Sequence, residues 1–487
     1  MSDKAVTKKE AATEARIPDL VRIGEIPSEY GQTVHTDIID PVTSSQTSAR
    51  FTLNRVAGFL HSNSKITFSC DPLTNTSSFY PLQVGVGQLI SEAHLRIGNK
   101  TVCSVQDFAT LFAYQSLFLT NENNKEREQY LSQRAINHGW NYTSNSDTSA
   151  QAYSLDLGRN PVSAVDGLVG TFNRELLPFQ QHDATSAETR SEAPVYSLYL
   201  SDLFPFLRQN QIPAFMINDE IHIDLVWTPE TSNLSGGVQS RRMCCSSIGT
   251  ETVQYQINLN ELKLVYDSIS YDGEIMRKYA EQNPRISFSY VDYRLAKRTG
   301  DQTAFTNLTF PVGGNGRLVT KVIFGIQAHN NYLAKSLMNG DGQSFSGTNG
   351  NPLSVNLRYN DRFEYSVDRN NTALLFHDLQ HAEGQVPFVS RQEYSNEEAV
   401  PADPAGGVTA LTTGTFEGNI QNGRTTGLLS NFSWNAIKPN RGERINNKGM
   451  DLVYKNTLAA GNYTLRCYLE LMKVATIENG EFNCYFA

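Results

Sequence analysis

At 487 residues with 39% apolar content, the chain is too long for one ordinary hydrophobic core, and two large β domains fit better than one. Its net charge of −9 gives no support for a broad nucleic-acid-binding surface, and the apolar share is low for an enzyme core of this size. Abundant Asn, Ser, Thr and Gly suit a loop-rich all-β protein instead. The six cysteines, Cys70, Cys103, Cys244, Cys245, Cys467 and Cys484, form no CxxC pair and read as free thiols in a reducing compartment. Residues 1–16 are polar and charged, which is not the pattern of a signal peptide. No apolar run approaches the roughly 20 residues of a spanning helix. The expectation is a soluble chain made in the cytosol.

In chain order, residues 1–16 read as a disordered or partner-ordered tail, with Lys4, Lys8, Lys9 and Arg16 offset by Asp3, Glu10 and Glu14. Residues 17–28 carry Leu20, Val21, Ile23 and Ile26 between two prolines and could dock on a neighbour. Strands are expected around 51–53 and 65–68, the second stopped by Asp71-Pro72. Residues 90–97 and 101–103 form a hairpin about Gly98-Asn99. Over 105–130 the spacing of Phe108, Leu111, Phe112, Gln115, Phe118 and Leu119 predicts a helix. Residues 138–190 are a long polar excursion.

The stretch 196–227 is the most strongly patterned. It opens on alternating Tyr196, Leu198 and Leu200, passes through the knot Leu203-Phe204-Pro205-Phe206, and ends on a long alternating strand. There Ile217, Ile221, Ile223, Leu225 and Trp227 lie on a buried side and Asn218, Glu220, His222 and Asp224 on a wet side, with Asp219 marking a turn. After a polar loop at 229–251, residues 255–266 change phase between Leu259 and Leu262, which predicts a β-bulge near Asn260-Glu261. Residues 272–282 are helix-compatible and Asn283-Pro284 ends them.

The second half repeats the pattern. Phe288, Tyr290, Phe305 and Phe310 mark early strands, 312–316 a turn, and 318–328 a central buried strand. Long loops follow at 336–352 and 393–427. Tyr463, Leu465, Cys467, Leu469 and Leu471 make a strand with Thr464, Arg466 and Glu470 opposite, and Asn479-Gly480 turns into a last strand at 482–486.

Chemical signals are thin. His377 and His381 at i and i+4, with Glu383 nearby, could share a helix face as zinc ligands, but the HExxH order is absent and a structural role fits better. His222 and Asp224 lie two apart on a wet strand face without an evident nucleophile. Gly313-Gly314-Asn315-Gly316 lacks the Gly-Lys-Ser/Thr of a phosphate loop and reads as a hairpin turn. The expectation is therefore no catalytic, cofactor-binding or metal-ligating residue.

Three segments together resemble the double jelly-roll major capsid proteins of nucleocytoplasmic large DNA viruses, virophages and polinton-like viruses. They are LSDLFPFLRQNQIPAFMINDEIHIDLVW ending at Trp227, ISEAHLRIGNKTV over 90–102, and the C-terminal pair formed by Ile437–Met450 and Val474–Gly480. Leu207-Arg208-Gln209 stand where large-virus members tend to carry Cys or Asn, and the proline-glycine segment is degenerate. These departures point to a virophage or polinton-like member. The resemblance implies an all-β fold of two tandem eight-stranded jelly-roll sandwiches with a few short helices in the connections. It places an N-terminal arm at 1–44, a first jelly roll at 45–270, a linker helix at 271–284 and a second jelly roll at 285–487. It also implies a non-enzymatic protein that forms homotrimeric, pseudo-hexameric capsomers of an icosahedral shell around a DNA genome. Its partners would be neighbouring capsomers, penton and minor or cement proteins, with no cofactor and no specific nucleic-acid binding.

Two other classes are weighed against this. A cupin-type enzyme needs a His-x-His with downstream Glu and His, which is absent. A secreted lectin or adhesin would want a signal peptide and paired cysteines.

Overall fold

The structure is a computed structural model that describes residues 32–54, 56–72, 78–79, 85–116, 140–144, 151–155, 195–227, 230–232, 239–241, 245–246, 255–328, 354–370, 372–384, 435–439, 442–455 and 462–487. The expected tail, the docking segment at 17–28, the helix beyond 116 and the loops at 336–352 and 393–427 lie outside the described residues.

Four antiparallel sheets make up the body. The first is seven-stranded and centres on Lys263–Ser270. Thr33–Ile39 pairs along one side of that strand, while Lys65–Pro72 and Phe59–Leu60 share the other. The second is five-stranded and runs Thr43–Ser44, Ser48–Leu53, Ile221–Trp227, Ile90–Ile97, Lys100–Gln106. These two sheets face each other across the aromatic contact of Phe68 with Trp227, whose ring centroids are 5.9 Å apart. In Ile221–Trp227 the alternation is fully realised: Ile221, Ile223, Leu225 and Trp227 are buried, while His222 and Asp224 are half-buried on the outer face. A period of two on a pleated strand gives this pattern directly.

The third sheet has six strands. Asn462–Glu478 pairs over its whole 17 residues with Arg285–Asp301 on one side; Leu318–Ala328 and Glu481–Phe486 share its other side. The fourth runs Leu308–Gly313, Met450–Lys455, Ser354–Tyr359, Arg362–Phe363. Val322, Phe324, Leu357, Leu452, Leu465 and Leu469 fill the core between them. Among the described residues each of these four sheets is built either from strands before residue 271 or from strands after residue 284. Between them lies the helix Gly273–Gln282, capped by Asp272, whose carboxylate accepts the Glu274 amide at 2.9 Å.

Several local expectations need correction. The strand at 65 runs beyond Phe68 to Pro72, its last residue, and its end pairs with Tyr255–Ile257. Val105 and Gln106 end a strand, and the helix begins only at Phe108. Leu200 opens a short helix instead of continuing the strand Val195–Tyr199, and Pro205 starts a second helix at its first position. Phe305 closes a 3-10 turn, Gln302–Phe305. The phase change at 260 is larger than a bulge. Ile257 sits opposite Cys70 and Lys263 opposite Thr67, so five residues answer two. The surplus forms a turn over Leu259–Glu261, in which the Asn258 side chain accepts the Asn260 amide at 3.1 Å. The polar stretches at 138–190 and 229–251 contain short strands, including the hairpin of Trp140–Ser144 with Gln151–Leu155.

One apolar cluster spans both sandwiches, beside the separate core of the second. Tyr290, Leu379, Tyr468, Ala475, Ile477 and Phe482 from the second half belong to the same buried cluster as Phe206, Phe108 and Val102 from the first. Phe206 meets Tyr290 edge-on at 4.7 Å.

Candidate functional site

Among the described residues, buried charged side chains are concentrated at this seam. It arises from the long ribbon of Arg285–Asp301 and Asn462–Glu478. A ribbon of 17 residue pairs is about 55 Å long at ~3.3 Å per residue, and over that length the right-handed twist of paired strands is large. Leu465, Cys467, Leu469 and Leu471 face the core of the second sandwich. Their alternates Arg466 and Tyr468 are buried as well, and further along the leucine-bearing face so are Lys473, Ala475 and Ile477. The face expected to be wet is therefore covered, by the first sandwich and its helix Phe108–Ser116.

Three polar nodes line the seam. At the first, Asp107 precedes the helix in a left-handed conformation, φ 46°. Its carboxylate accepts from Arg466 Nε at 2.9 Å and Lys297 Nζ at 3.1 Å, and its carbonyl accepts from the Tyr468 hydroxyl at 3.0 Å. Arg466 is 1% exposed. Burial pushes the Asp107 acid up, but the two cations outweigh burial and hold it below its ordinary value.

At the second node Lys473 Nζ donates to Asp292 Oδ2 at 2.9 Å, to Val102 O at 2.9 Å and to Thr101 O at 3.2 Å. Asp292 also accepts from the amides of Ser104 and Tyr293. Burial dominates here and raises the Asp292 acid despite Lys473. The Tyr290 hydroxyl donates to Val102 O at 2.9 Å, and the Cys484 thiol donates to Thr101 O at 3.3 Å.

At the third, Lys321 lies 2.8 Å from Glu383 and 3.3 Å from Glu470. Tyr114 donates to Glu383, and Tyr293 donates to Glu470 at 2.9 Å. Burial works against the Lys321 ammonium, but Glu470, Tyr293 and Glu383 keep its pKa above the ordinary lysine value. Burial also drives both tyrosines away from ionisation.

Chemically these nodes are closed. Each cation is held by carboxylates or carbonyls, and each named carboxylate by cations, hydroxyls or amides, so the arrangement clamps two bodies together instead of presenting a reactive group. Backbone contacts add to the clamp: the Asn218 amide donates to Gly480 O at 2.9 Å, where Asn479 and Gly480 both take positive φ in the last hairpin turn.

The residues singled out from sequence lie elsewhere. His377 and His381 sit on the helix Thr372–Glu383 and are exposed, whereas Glu383 turns inward to Lys321 and Tyr114. Among the described residues no group of three or more His, Cys, Asp or Glu is placed to hold a metal ion. His222 faces Thr52 across the strand pair, with Nδ1 3.0 Å from Oγ1, and Asp224 pairs with Arg50 and Arg96. Both are cross-strand pairs on the outer face of the five-stranded sheet. Sequence reading missed the seam residues, although Arg466, Glu470 and Lys473 within an otherwise apolar run are a signal of buried charge.

No family model matches the chain, and no curated protein matches it by sequence. Solved structures do. A chain of the Sputnik virophage, solved by cryo-EM, superposes with a TM-score of 0.51 at 12% identity, covering 94% of this chain and 89% of that one. The mavirus major capsid protein gives a TM-score of 0.50 at 8% identity, covering 95% and 91%. The chain is a double jelly roll. The likeness extends over both jelly rolls.

Proposed function

We propose that this double jelly roll is a major capsid protein, a structural and non-enzymatic component of a virion. In this reading it is made in the host cytoplasm, three chains close into a pseudo-hexameric capsomer, and capsomers tile an icosahedral shell around a DNA genome. Partners are two further copies in the trimer, neighbouring capsomers, and penton and minor or cement proteins. No cofactor and no specific nucleic-acid binding are part of it. The chain divides into an arm at 1–44, a first jelly roll at 45–270, a linker helix at 271–284 and a second jelly roll at 285–487. The last residues of that arm, 33–39 and 43–44, are strands paired into the first jelly roll.

The observation that carries the proposal is the whole-length likeness to the mavirus major capsid protein, joined to a seam that holds two sandwiches side by side through Asp107 with Arg466 and Lys297, Lys473 with the carbonyls of Thr101 and Val102, and Tyr114 with Glu383. Two equal lobes repeated about a three-fold axis have a near-hexagonal outline, which fills a plane, and one heterologous interface used three times closes the ring.

Sedimentation of the purified chain at micromolar concentration tests this. A trimer is expected, with pseudo-hexagonal particles by electron microscopy. Deleting residues 1–16 is expected to leave trimers intact and impair shell formation. A monomer, or normal shells from the truncated chain, overturns the corresponding part.

A further inference from the structure

The strand Thr33–Ile39 is unusual within this fold. Its sequence is TVHTDII, and six of its seven residues are exposed. Val34 is 56% and Ile38 66% exposed. One edge pairs with Lys263–Ser270 from Thr33↔Ser270 to Ile39↔Leu264; among the described residues no strand pairs with its other edge. Soluble proteins usually guard such an edge with lysine, proline, a bulge or a covering loop. This strand has no lysine or proline, and its pairing with Lys263–Ser270 is continuous without a bulge.

Its order of side chains is self-complementary. In an antiparallel pair of two such strands centred on Thr36, Thr36 faces Thr36 of the second copy. Val34 then faces Ile38, His35 faces Asp37, and each pairing occurs twice by symmetry. Apolar residues meet apolar residues on one face, and a carboxylate meets an imidazole on the other. Shifting the register by two residues sets Asp37 against Thr33 or His35 against Ile39 and loses the charge match. A two-fold contact needs this property of a single patch, because the same surface must serve both partners. Opposed pairs of these types stabilise antiparallel strand pairing relative to alanine. The side chains are available for it. Thr36 Oγ1 donates to Asp267 at 2.7 Å, and Asp37 takes the Tyr266 hydroxyl; both interactions hold the strand on its own sheet without using its outer edge.

We propose that the outer edge of Thr33–Ile39 is an isologous docking edge for a second copy of this chain, joined by antiparallel strand addition about Thr36. It would extend the seven-stranded sheet continuously from one molecule into the next. A seven-residue edge is small against the roughly 1,000 Å² expected of a self-sufficient interface, so the contact is weak by itself and gains strength where many copies are held side by side. A two-fold contact is a different operation from the three-fold unit proposed above, and it stands or falls independently of it.

Cysteine trapping on the full chain tests the register. Directly opposed Cβ atoms in an antiparallel pair are about 4.5–5.5 Å apart, close to the ~3.5–4.5 Å of a disulfide. Under mild oxidation by glutathione disulfide, Thr36→Cys is expected to form a disulfide-linked dimer at least about ten times faster than Val34→Cys or the parent chain. Neither Val34→Cys nor Ile38→Cys alone should dimerise at that rate, whereas an equimolar mixture of the two should. In the Thr36→Cys background, Asp37→Arg sets a cation against His35 of the second copy and should slow dimerisation. Circular dichroism of each variant confirms that folding is unchanged. A Thr36→Cys rate no greater than that of Val34→Cys, or a mixture that does not cross-link, overturns the proposal, whatever the sedimentation result for the trimer.

Discussion

Replacing Lys473 by methionine tests the seam most directly. The Lys473 and Asp292 side chains are 7% and 6% exposed, so neither charge has water to fall back on. Methionine keeps most of the apolar stem but removes three donated hydrogen bonds, to Asp292, Val102 and Thr101. Val102 O keeps the Tyr290 hydroxyl and Thr101 O keeps the Cys484 thiol, so the main cost is an uncompensated buried carboxylate. Removing one partner of a buried pair costs about 3–5 kcal/mol, and protonation of Asp292 limits the loss to about 3 in this case. The second change, Asp292→Asn, removes the charge while leaving an oxygen for the Ser104 and Tyr293 amides; the double variant should recover about 2 kcal/mol. The sign with pH follows from burial. A carboxyl whose folded pKa is raised above its ordinary 3.8 stabilises the fold below that value and loses this stabilisation as pH rises through the folded pKa. Lys473→Met should therefore be least harmful near pH 4 and grow worse towards pH 7. Urea denaturation at fixed protein concentration, read at both pH values, measures this. A loss under 1 kcal/mol, or a double variant no more stable than the single, refutes the reasoning.

Trp227→Ala should cost about 3–5 kcal/mol by denaturation, because Trp227 is 1% exposed and packs on Phe68; an unchanged midpoint would mean that the two sheets do not close on this side chain. At Asp107 the opposite pH sign applies. Its pKa is held below the ordinary 3.8, so it contributes stability above that value that is lost as pH falls through the depressed one. Asp107→Asn is expected to flatten the acid limb of a stability-against-pH curve and to cost about 3 kcal/mol at pH 7, where Arg466 would be left buried without its carboxylate.

Much of the fold was legible because strand alternation is a local signal. Ile221–Trp227, the Ile90–Ile97 hairpin and the terminal Asn479-Gly480 turn each carry their burial pattern or turn geometry in adjacent residues. The Asp272 cap and Asn283 bound their helix just as locally. Failures came where a distant element decided the outcome. Arg466 alternates with leucines as a wet face would, but Asp107, more than 350 residues earlier, closes over it. The surplus residues at 258–262 look like a bulge in the sequence because the number of residues on the partner strand is a property of the pairing, not of the segment. His377 and His381 drew attention by spacing, while Glu383, the residue of that helix that matters to the seam, needed Lys321 and Tyr114 to be visible.

Buried ion pairs are a poor way to gain stability, since well-packed apolar replacements of the same volume often match or exceed them by about 1–4 kcal/mol. What they supply is direction. An apolar face against an apolar face tolerates sliding, whereas Tyr114 of the first jelly roll reaches Glu383, itself held by Lys321 of the second, only at one relative placement of the two. If the seam serves to fix the angle between two lobes that must tile, removing its polarity should spare stability and harm geometry. Replacing the third node as a set, Lys321→Met with Glu383→Leu, Glu470→Leu, Tyr114→Phe and Tyr293→Phe, is expected to leave the denaturation midpoint at or above the parent value. The distance distribution between spin labels at the exposed positions Glu261 and Glu481, one on each jelly roll, should broaden at the same time. A distribution as narrow as the parent's, in a variant just as stable, would mean that apolar packing of Phe206, Tyr290 and Tyr468 alone sets the angle and that the charges are incidental to it.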